Sequence, residues 1–167
     1  MIVDGLLTLS RLESGKKPQY SERVNLDELL IEAVSKISSM AGVKNINVAL
    51  KFNDENDDEY KQLFVRGDLS MLLNVFMNLL ENAIKYSNPD SEIICSENFI
   101  ASENRIHISI QDNGMGISPE DLDKIFDRFY RADHSRTRDD RHGLGLGLSI
   151  AKSVIEAHNG KISVKSS

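Results

Sequence analysis

The amino-acid sequence predicts one domain of the mixed α/β class, and three observations support this prediction. Residues 68–86 carry apolar side chains at helical spacing along one face. Several shorter runs alternate apolar and polar residues with the period of two that is typical of strands. Half of the ten glycines lie in two short segments, residues 114–116 and 143–147. A chain of 167 residues is long enough to bury a core of its own.

Composition and charge exclude several classes of protein. A net charge of -6 argues against nucleic-acid binding, which needs a basic surface. The single cysteine, Cys95, rules out an internal disulfide, and its apolar neighbours predict a buried side chain. No apolar run reaches the roughly 18 residues of a membrane span and no signal peptide is visible, so this polypeptide is expected neither to span nor to enter a membrane by itself, although a membrane anchor could precede it.

The first elements are predicted from apolar spacing and from residues that stop helices. Residues 1–13 predict the end of a helical hairpin or coiled coil, which Gly15 and Pro18 stop. A short strand at residues 19–24 leads to Asn25, the expected N-cap of a helix. Its apolar stripe continues to about Met40, and Gly42 is expected to end it. The apolar positions near heptad spacing in the first segment are Ile2, Leu6, Leu9 and Leu12.

Two strands and a connector precede the central helix. Residues 46–52 alternate as a half-buried strand, and residues 63–66 are its expected partner. The acidic residues 53–60 between them predict a solvated turn, because they lack the ligand spacing of a calcium loop.

The central helix, Asp68 to Tyr86, has two different faces. One face is apolar, and the other carries Asn74, Asn78, Asn82 and Lys85. Asparagine costs about 0.5 kcal/mol relative to alanine in a helix, so a row of asparagines indicates either an ordinary solvated face or a face that binds a ligand. Glu81 is expected to be an exposed acid. The apolar face comprises Leu72, Leu73, Phe76, Met77, Leu79, Leu80, Ala83 and Ile84.

The second half of the chain predicts a β-hairpin and two further helices. Residues 92–101 and 105–111 form the hairpin, which ends directly in Asp112. Ser118 caps a short helix that begins at Pro119. Residues 132–143 contain almost no apolar side chain and predict a mobile segment. A helix over residues 148–158, stopped by Asn159-Gly160, and a final strand at residues 161–165 follow.

Both glycine segments are candidates for ligand binding. Gly143, Gly145 and Gly147 precede a helix, whose free N–H groups attract phosphate oxygens. The segment matches neither a Walker loop nor a dinucleotide fingerprint, and a flexible hinge is the alternative interpretation. Asp112 follows a strand and can accept a hydrogen bond from an exocyclic amine, although Asp-Asn-Gly is also a common turn. Asn82 can offer an amide oxygen to magnesium, with Lys85 one turn away.

Four segments in order resemble the N box, first glycine box, F box and second glycine box of the sensor histidine kinases of two-component systems. They are residues 78–86 (NLLENAIKY), 112–117 (DNGMGI), 125–131 (IFDRFYR) and 143–150 (GLGLGLSI). The match covers nearly the whole chain, and four ordered motifs are more specific than any one of them. Residues 1–15 are similar to the end of that family's dimerisation hairpin.

The resemblance implies a Bergerat ATP-binding fold, an α/β two-layer sandwich in which helices cover one face of a mixed, mostly antiparallel sheet. Residues 1–15 would then be the end of the phosphoacceptor hairpin. Residues 16–167 would be the catalytic ATP-binding domain, with its last strand truncated.

The same resemblance implies roles for individual residues. Asn82 would bind magnesium, Asn78, Lys85 and Tyr86 would line the phosphates and sugar, and Asp112 would read the adenine amine. Catalysis would involve Asn78, Lys85 and Arg131. The other nucleotide-binding positions would be Gly114, Gly116, Ile117, Tyr130, Arg131, Gly143, Leu144, Gly145, Leu146, Gly147 and Leu148.

The implied reaction is transfer of the γ-phosphoryl group of magnesium-ATP to a histidine, followed by relay to a response regulator. In ATP-hydrolysing relatives such as gyrase and Hsp90, a glutamate at the position of Asn78 activates water, and an amide cannot accept that proton. None of His107, His134, His142 and His158 has the setting of the acceptor, so the acceptor hairpin is expected outside this chain.

The resemblance further implies a homodimeric parent protein that is anchored in the cell membrane. This chain would be a cytoplasmic part of that parent, and the fragment alone could be a monomer. Two alternatives remain open. One is a serine kinase of the anti-sigma-factor type, against which residues 1–15 argue. The other is a module that senses ATP without turnover.

Overall fold

The computed structural model describes residues 22–52, 63–131 and 144–166. The chain divides into two compact units: Ser21–Met115 forms one, and Gly116–Ser167 belongs to the other. The predicted N-terminal helix, the acidic connector and the segment 132–143 lie outside the described residues. No described helix is long and apolar enough to cross a membrane.

The first unit contains two long helices and five strands. In chain order its elements are β1 (Glu22–Asn25), α1 (Leu26–Val43), β2 (Asn47–Lys51), β3 (Phe64–Gly67), α2 (Leu69–Tyr86), β4 (Glu92–Ile100) and β5 (Arg105–Gln111).

The strands form a three-stranded sheet in the order β2-β4-β5 and a separate ribbon of β1 and β3. β2 runs parallel to β4, with Ala49 opposite Ile94, while β4 and β5 form the predicted antiparallel hairpin. The prediction that residues 63–66 pair with residues 46–52 is wrong, because β3 pairs with β1. Alternation along a strand shows which face is buried, but not which strand lies beside it.

An asparagine flanks each end of helix α1: Asn25 caps its start, and Asn45 follows its end. The side chain of Asn25 accepts a hydrogen bond from the backbone N–H of Asp27 at 3.1 Å, which confirms the predicted N-cap. Gly42 does not end the helix. It remains in the last turn, and Asn45 takes the left-handed conformation (φ 53°) that follows the helix. The N–H groups of Asn45 and Ile46 then bond to the carbonyls of Gly42 and Ala41, which completes a Schellman motif.

Helix α2 agrees with the predicted central helix. The Asp68 side chain accepts from the N–H of Met71 at 2.9 Å and so fixes the first turn. The helix packs on α1, and both helices contact the three-stranded sheet. The core contains Leu29, Leu30, Ile37, Val75, Leu80, Ile84, Ile93 and Cys95, all almost completely buried. Cys95 is thus buried as predicted, and the two-layer arrangement places the polar face of α2 away from the core.

The second unit contains the short helix α3 (Pro119–Leu122) and helix α4 (Gly147–Ala157). Asn159 has a φ of 59°, and the N–H of Gly160 bonds to the carbonyl of Ile155 at 2.8 Å, so the predicted stop at Asn159-Gly160 is confirmed. The final strand predicted at residues 161–165 is not found, because residues 161–166 form no ladder with a neighbouring strand. Sequence alternation alone does not make a strand, which needs a hydrogen-bonded partner.

Candidate functional site

The polar face of α2 is only partly open to solvent. Asn74, in the middle of the helix, is exposed, whereas Asn78, Asn82 and Lys85 further along are each half-buried. The Lys85 ammonium lies 4.8 Å from the centre of the Tyr86 ring, so the cation and the aromatic side chain are neighbours. A half-buried row of amides followed by a lysine differs from an ordinary solvated face, and it offers oxygen and N–H groups together with a positive charge.

Glu81 belongs to the same part of the helix and was expected to be exposed. It is half-buried instead, and burial raises the pKa of its carboxyl group. The expectation was wrong because the helical wheel shows direction only, and not how closely neighbouring elements approach. Glu81 therefore adds a partly desolvated acid beside Asn78, Asn82 and Lys85.

The turn after β5 lies against the end of α2. Ser87 and Gly114 form an isolated antiparallel bridge, and the N–H of Met115 points to the carbonyl of Tyr86 at 3.4 Å. A side chain at Gly114 would not fit, because a Cβ there would lie 2.7 Å from the Tyr86 carbonyl oxygen. The structure thus brings Gly114 and Met115 of the first glycine box next to the residues that end the N box.

Asp112 has one carboxylate oxygen engaged in the turn. Its Oδ1 accepts from the N–H of Gly114 at 2.9 Å, as an Asp in an Asp-Asn-Gly turn should. The side chain is exposed, and its second oxygen can still accept a hydrogen bond from a ligand. The turn-forming interpretation and the binding interpretation are therefore compatible.

In the second unit, the F box and the second glycine box are joined through the backbone. Phe129 has a φ of 61°, and its N–H donates to the Gly145 carbonyl at 3.1 Å. Gly145 has a φ of 71°, and a Cβ there would lie 2.7 Å from the Tyr130 carbonyl oxygen. Only glycine fits this close approach without strain. Gly143 lies outside the described residues.

Tyr130 has a partner that the sequence did not suggest. Its hydroxyl donates to Asp121 Oδ1 at 2.6 Å, and the Ser118 hydroxyl donates to Oδ2 of the same carboxylate at 2.8 Å. Asp121 therefore ties the F box to the start of α3. Ser118 and Asp121 are spaced as in a capping box, which is the local signal that connects them, but nothing in the sequence links Asp121 with Tyr130.

The other predicted positions described in this unit are Gly116, Ile117, Arg131, Leu144, Leu146, Gly147 and Leu148. Gly116 has a φ of 74°, and the N–H of Ile117 donates to the Ser166 hydroxyl at 2.8 Å. Gly147 is the first residue of α4, and the side chain of its N-cap residue, Leu146, makes no capping hydrogen bond. Uncapped N–H groups at a helix start suit phosphate oxygens. Arg131 and Leu148 are half-buried, Leu144 is exposed, and Leu146 is buried.

The described histidines occupy structural positions. His107 lies in β5, and His158 follows α4 with its Nδ1 2.7 Å from the Val154 carbonyl oxygen. His134 and His142 lie outside the described residues. No group of three or more histidine, cysteine, aspartate or glutamate side chains in the described ranges has the spacing to hold a metal ion.

Comparisons with known proteins agree on one family. Residues 67–167 match the model of the histidine kinase-, DNA gyrase B-, and HSP90-like ATPases. The chain is 35% identical over 161 residues to the sensor protein kinase WalK of Staphylococcus saprophyticus. The aligned region covers 96% of this chain and 25% of that protein. It therefore spans about a quarter of the length of this curated relative.

Similar solved structures are also histidine kinases. The mycobacterial sensor histidine kinase MprB is 26% identical, with a TM-score of 0.66 over 83% of this chain and 80% of that chain. A catalytic domain of the histidine kinase ThkA is also 26% identical, with a TM-score of 0.66 over 82% and 80% of the two chains. The histidine kinase AdeS of Acinetobacter baumannii, at 22% identity, shares the fold with a TM-score of 0.73, covering 98% and 70%.

Proposed function

This chain belongs to the family of histidine kinase-, DNA gyrase B-, and HSP90-like ATPases, as the catalytic domain of a sensor histidine kinase, and from that premise we propose how it binds and uses ATP. We propose that it binds magnesium-ATP and transfers the γ-phosphoryl group to a histidine on a helical hairpin. A response regulator would then receive the phosphoryl group. The chain would act in the cytoplasm as part of a homodimeric, membrane-anchored parent protein.

The observation that carries this proposal is the bridge between Ser87 and Gly114. It joins the end of α2, which presents Asn82 and Lys85, to the turn that presents Asp112. Adenine needs an acceptor for its exocyclic amine, and the phosphates need a cation, so one nucleotide requires both kinds of group near each other. The free carboxylate oxygen of Asp112 and the half-buried Lys85 supply them.

Magnesium fits this donor set through Asn82. A magnesium ion bound to ATP keeps most of its shell as phosphate oxygen and water, and it needs only one or two protein ligands. The half-buried amide of Asn82 would be one such ligand, and the ion would neutralise charge on the phosphates.

Catalysis by this chain would consist of positioning and charge compensation. Lys85 would balance the charge that develops on the phosphoryl oxygens. Asn78 carries an amide that cannot take a proton from water, which favours transfer over hydrolysis. The acceptor nitrogen would attack the γ-phosphorus while the bond to the β-phosphate oxygen breaks and ADP leaves.

Replacing Asn82 by alanine tests the binding site. We expect Asn82→Ala to weaken magnesium-dependent ATP binding by about tenfold, the usual scale for losing a group that holds a metal. The matched control is Asn74→Ala, which removes an exposed amide from the same helix. Alanine favours helix by about 0.5 kcal/mol relative to asparagine, so neither variant should melt earlier than the wild type.

Calorimetric titration with ATP, in the presence and absence of magnesium, measures this effect. Equal ATP affinity in Asn82→Ala and the wild type would contradict the proposed site. Phosphoryl transfer is measured separately, by adding labelled ATP and a hairpin that carries its own histidine. A chain that binds ATP but leaves that hairpin unlabelled would support the alternative of a nucleotide sensor.

A further inference from the structure

Lys44 makes a set of contacts that no sequence motif indicates. It follows α1, and its ammonium group reaches three backbone carbonyls at the far end of α2. The Nζ atom donates to the carbonyls of Ile84 at 2.9 Å, Lys85 at 2.7 Å and Ser87 at 3.0 Å. A lysine has three N–H donors, so this half-buried ammonium uses all of them on backbone.

These contacts complete the hydrogen bonding of the end of α2. The last four carbonyls of a helix have no partner within it. Here Ala83 accepts from the N–H of Ser87, Tyr86 faces the N–H of Met115, and Ile84 and Lys85 accept from Lys44. The positive charge of Lys44 also lies at the negative end of the helix dipole.

The backbone that carries Lys44 is itself fixed. The Lys44 carbonyl accepts from the N–H of Asp90 at 3.0 Å, and the Asn45 side chain donates to Asp90 Oδ1 at 2.7 Å. Both bonds tie the end of α1 to the turn that follows α2. The ammonium is therefore held in place by its own main chain and by three acceptors.

We propose that Lys44 is a positioning residue of the ATP site, an inference that rests on the proposed function. Lys44 binds the carbonyls of Ile84, Lys85 and Ser87, and the N–H of Met115 bonds to the Tyr86 carbonyl in the same stretch. Ser87 also forms the isolated bridge with Gly114. Lys44 thereby sets where the Asp112 turn lies relative to Lys85. Because Asp112 is assigned to the adenine amine, Lys44 should affect recognition of the base more than binding of the phosphates.

The experiment compares binding of ATP with binding of inosine triphosphate, which has a carbonyl oxygen in place of the adenine amine. Lys44→Met keeps the length of the side chain and removes its donors and charge. We expect ATP binding to weaken by roughly tenfold or more, the scale of a small misplacement in a site. Binding of inosine triphosphate should weaken less, so the preference for ATP should fall. The control is Lys36→Met, an exposed lysine of α1 that pairs with Glu32 at 3.3 Å.

An unchanged ratio of the two affinities in Lys44→Met would overturn the proposal, because a merely structural lysine would weaken both nucleotides equally. If Lys44→Met does not unfold cooperatively, the same comparison is made with Lys44→Arg. This variant keeps the charge, but a planar guanidinium cannot reach three carbonyls in the same way. The ratio should fall in Lys44→Arg too, and an unchanged ratio there would refute the role. A failure of the proposed function itself would be recognised separately, because the wild-type chain would then bind no ATP.

Discussion

Glu97 and Asp27 form a buried pair of carboxyl groups whose effect on stability can be measured. Glu97 lies on the buried side of β4 and is 2% exposed, while Asp27 in the first turn of α1 is 5% exposed. Burial, then a hydrogen bond with Asp27 and the negative charge of that residue, raises the pKa of Glu97 to about 8 from an ordinary value of 4.5. Glu97 is therefore protonated in the folded chain at neutral pH.

The sign of the pH dependence follows from this proton. Below pH 4.5 Glu97 binds it in both the folded and the unfolded chain. Between pH 4.5 and about 8 only the folded chain keeps it, so the free energy of unfolding falls as the pH rises. One such group contributes up to about 1.4 kcal/mol per pH unit, or about 5 kcal/mol over the interval. We expect about half of that, because local relaxation and water penetration weaken the effect of a buried group.

Glu97→Gln removes this dependence, since an amide is neutral at every pH and can still donate to Asp27. The variant should match the wild type near pH 5 and exceed its free energy of unfolding by about 2 kcal/mol near pH 9. Urea unfolding followed by circular dichroism at several pH values measures the difference. The control is Glu103→Gln, which changes an exposed glutamate in the β4–β5 turn. A Glu97→Gln effect of the same size at every pH would refute the reasoning.

Two further predictions concern Gly114 and Cys95. Gly114→Ala would place its Cβ 2.7 Å from the Tyr86 carbonyl oxygen, so thermal unfolding should show a loss of about 1–3 kcal/mol together with weaker ATP binding. The control is Gly42→Ala, because nothing lies within 4 Å of a Cβ added at this helical glycine. Gly42→Ala should raise the free energy of unfolding by about 0.5–1 kcal/mol. Equal effects of the two substitutions would contradict the prediction. Burial raises the pKa of Cys95 to about 11, so iodoacetamide should label it only as fast as the chain opens. Rapid labelling of the folded chain would show that the thiol is accessible.

Local signals predicted much of the fold. Asn25 and Asp68 marked the starts of two helices, and apolar spacing gave five of the six buried residues of α2. Val75 was missed, and the predicted Leu73, Met77 and Leu79 are only half-buried. The hairpin of β4 and β5 was also predicted, because its two strands are joined by a short turn. Each of these features depends on residues a few positions apart, and such patterns can be read directly from a sequence.

The candidate site was predicted less completely. The motifs indicated which residues to consider, and the structure places the end of α2 beside the Asp112 turn. The roles of the individual residues stay predictions. The half-burial of Glu81 and the bond between Tyr130 and Asp121 were missed, since neither follows from spacing along one element.

By itself, the sequence determined the long described helices, the cap at Asn25, the stop at Asn159-Gly160, the central hairpin and the motifs of the family. Tertiary structure alone decided that β3 pairs with β1, that Glu97 is buried beside Asp27, and that Lys44 reaches the end of α2. The physical reason is distance along the chain. Caps and apolar periodicity act over about four residues, whereas strand partners and buried polar contacts depend on which distant surfaces meet when the chain packs.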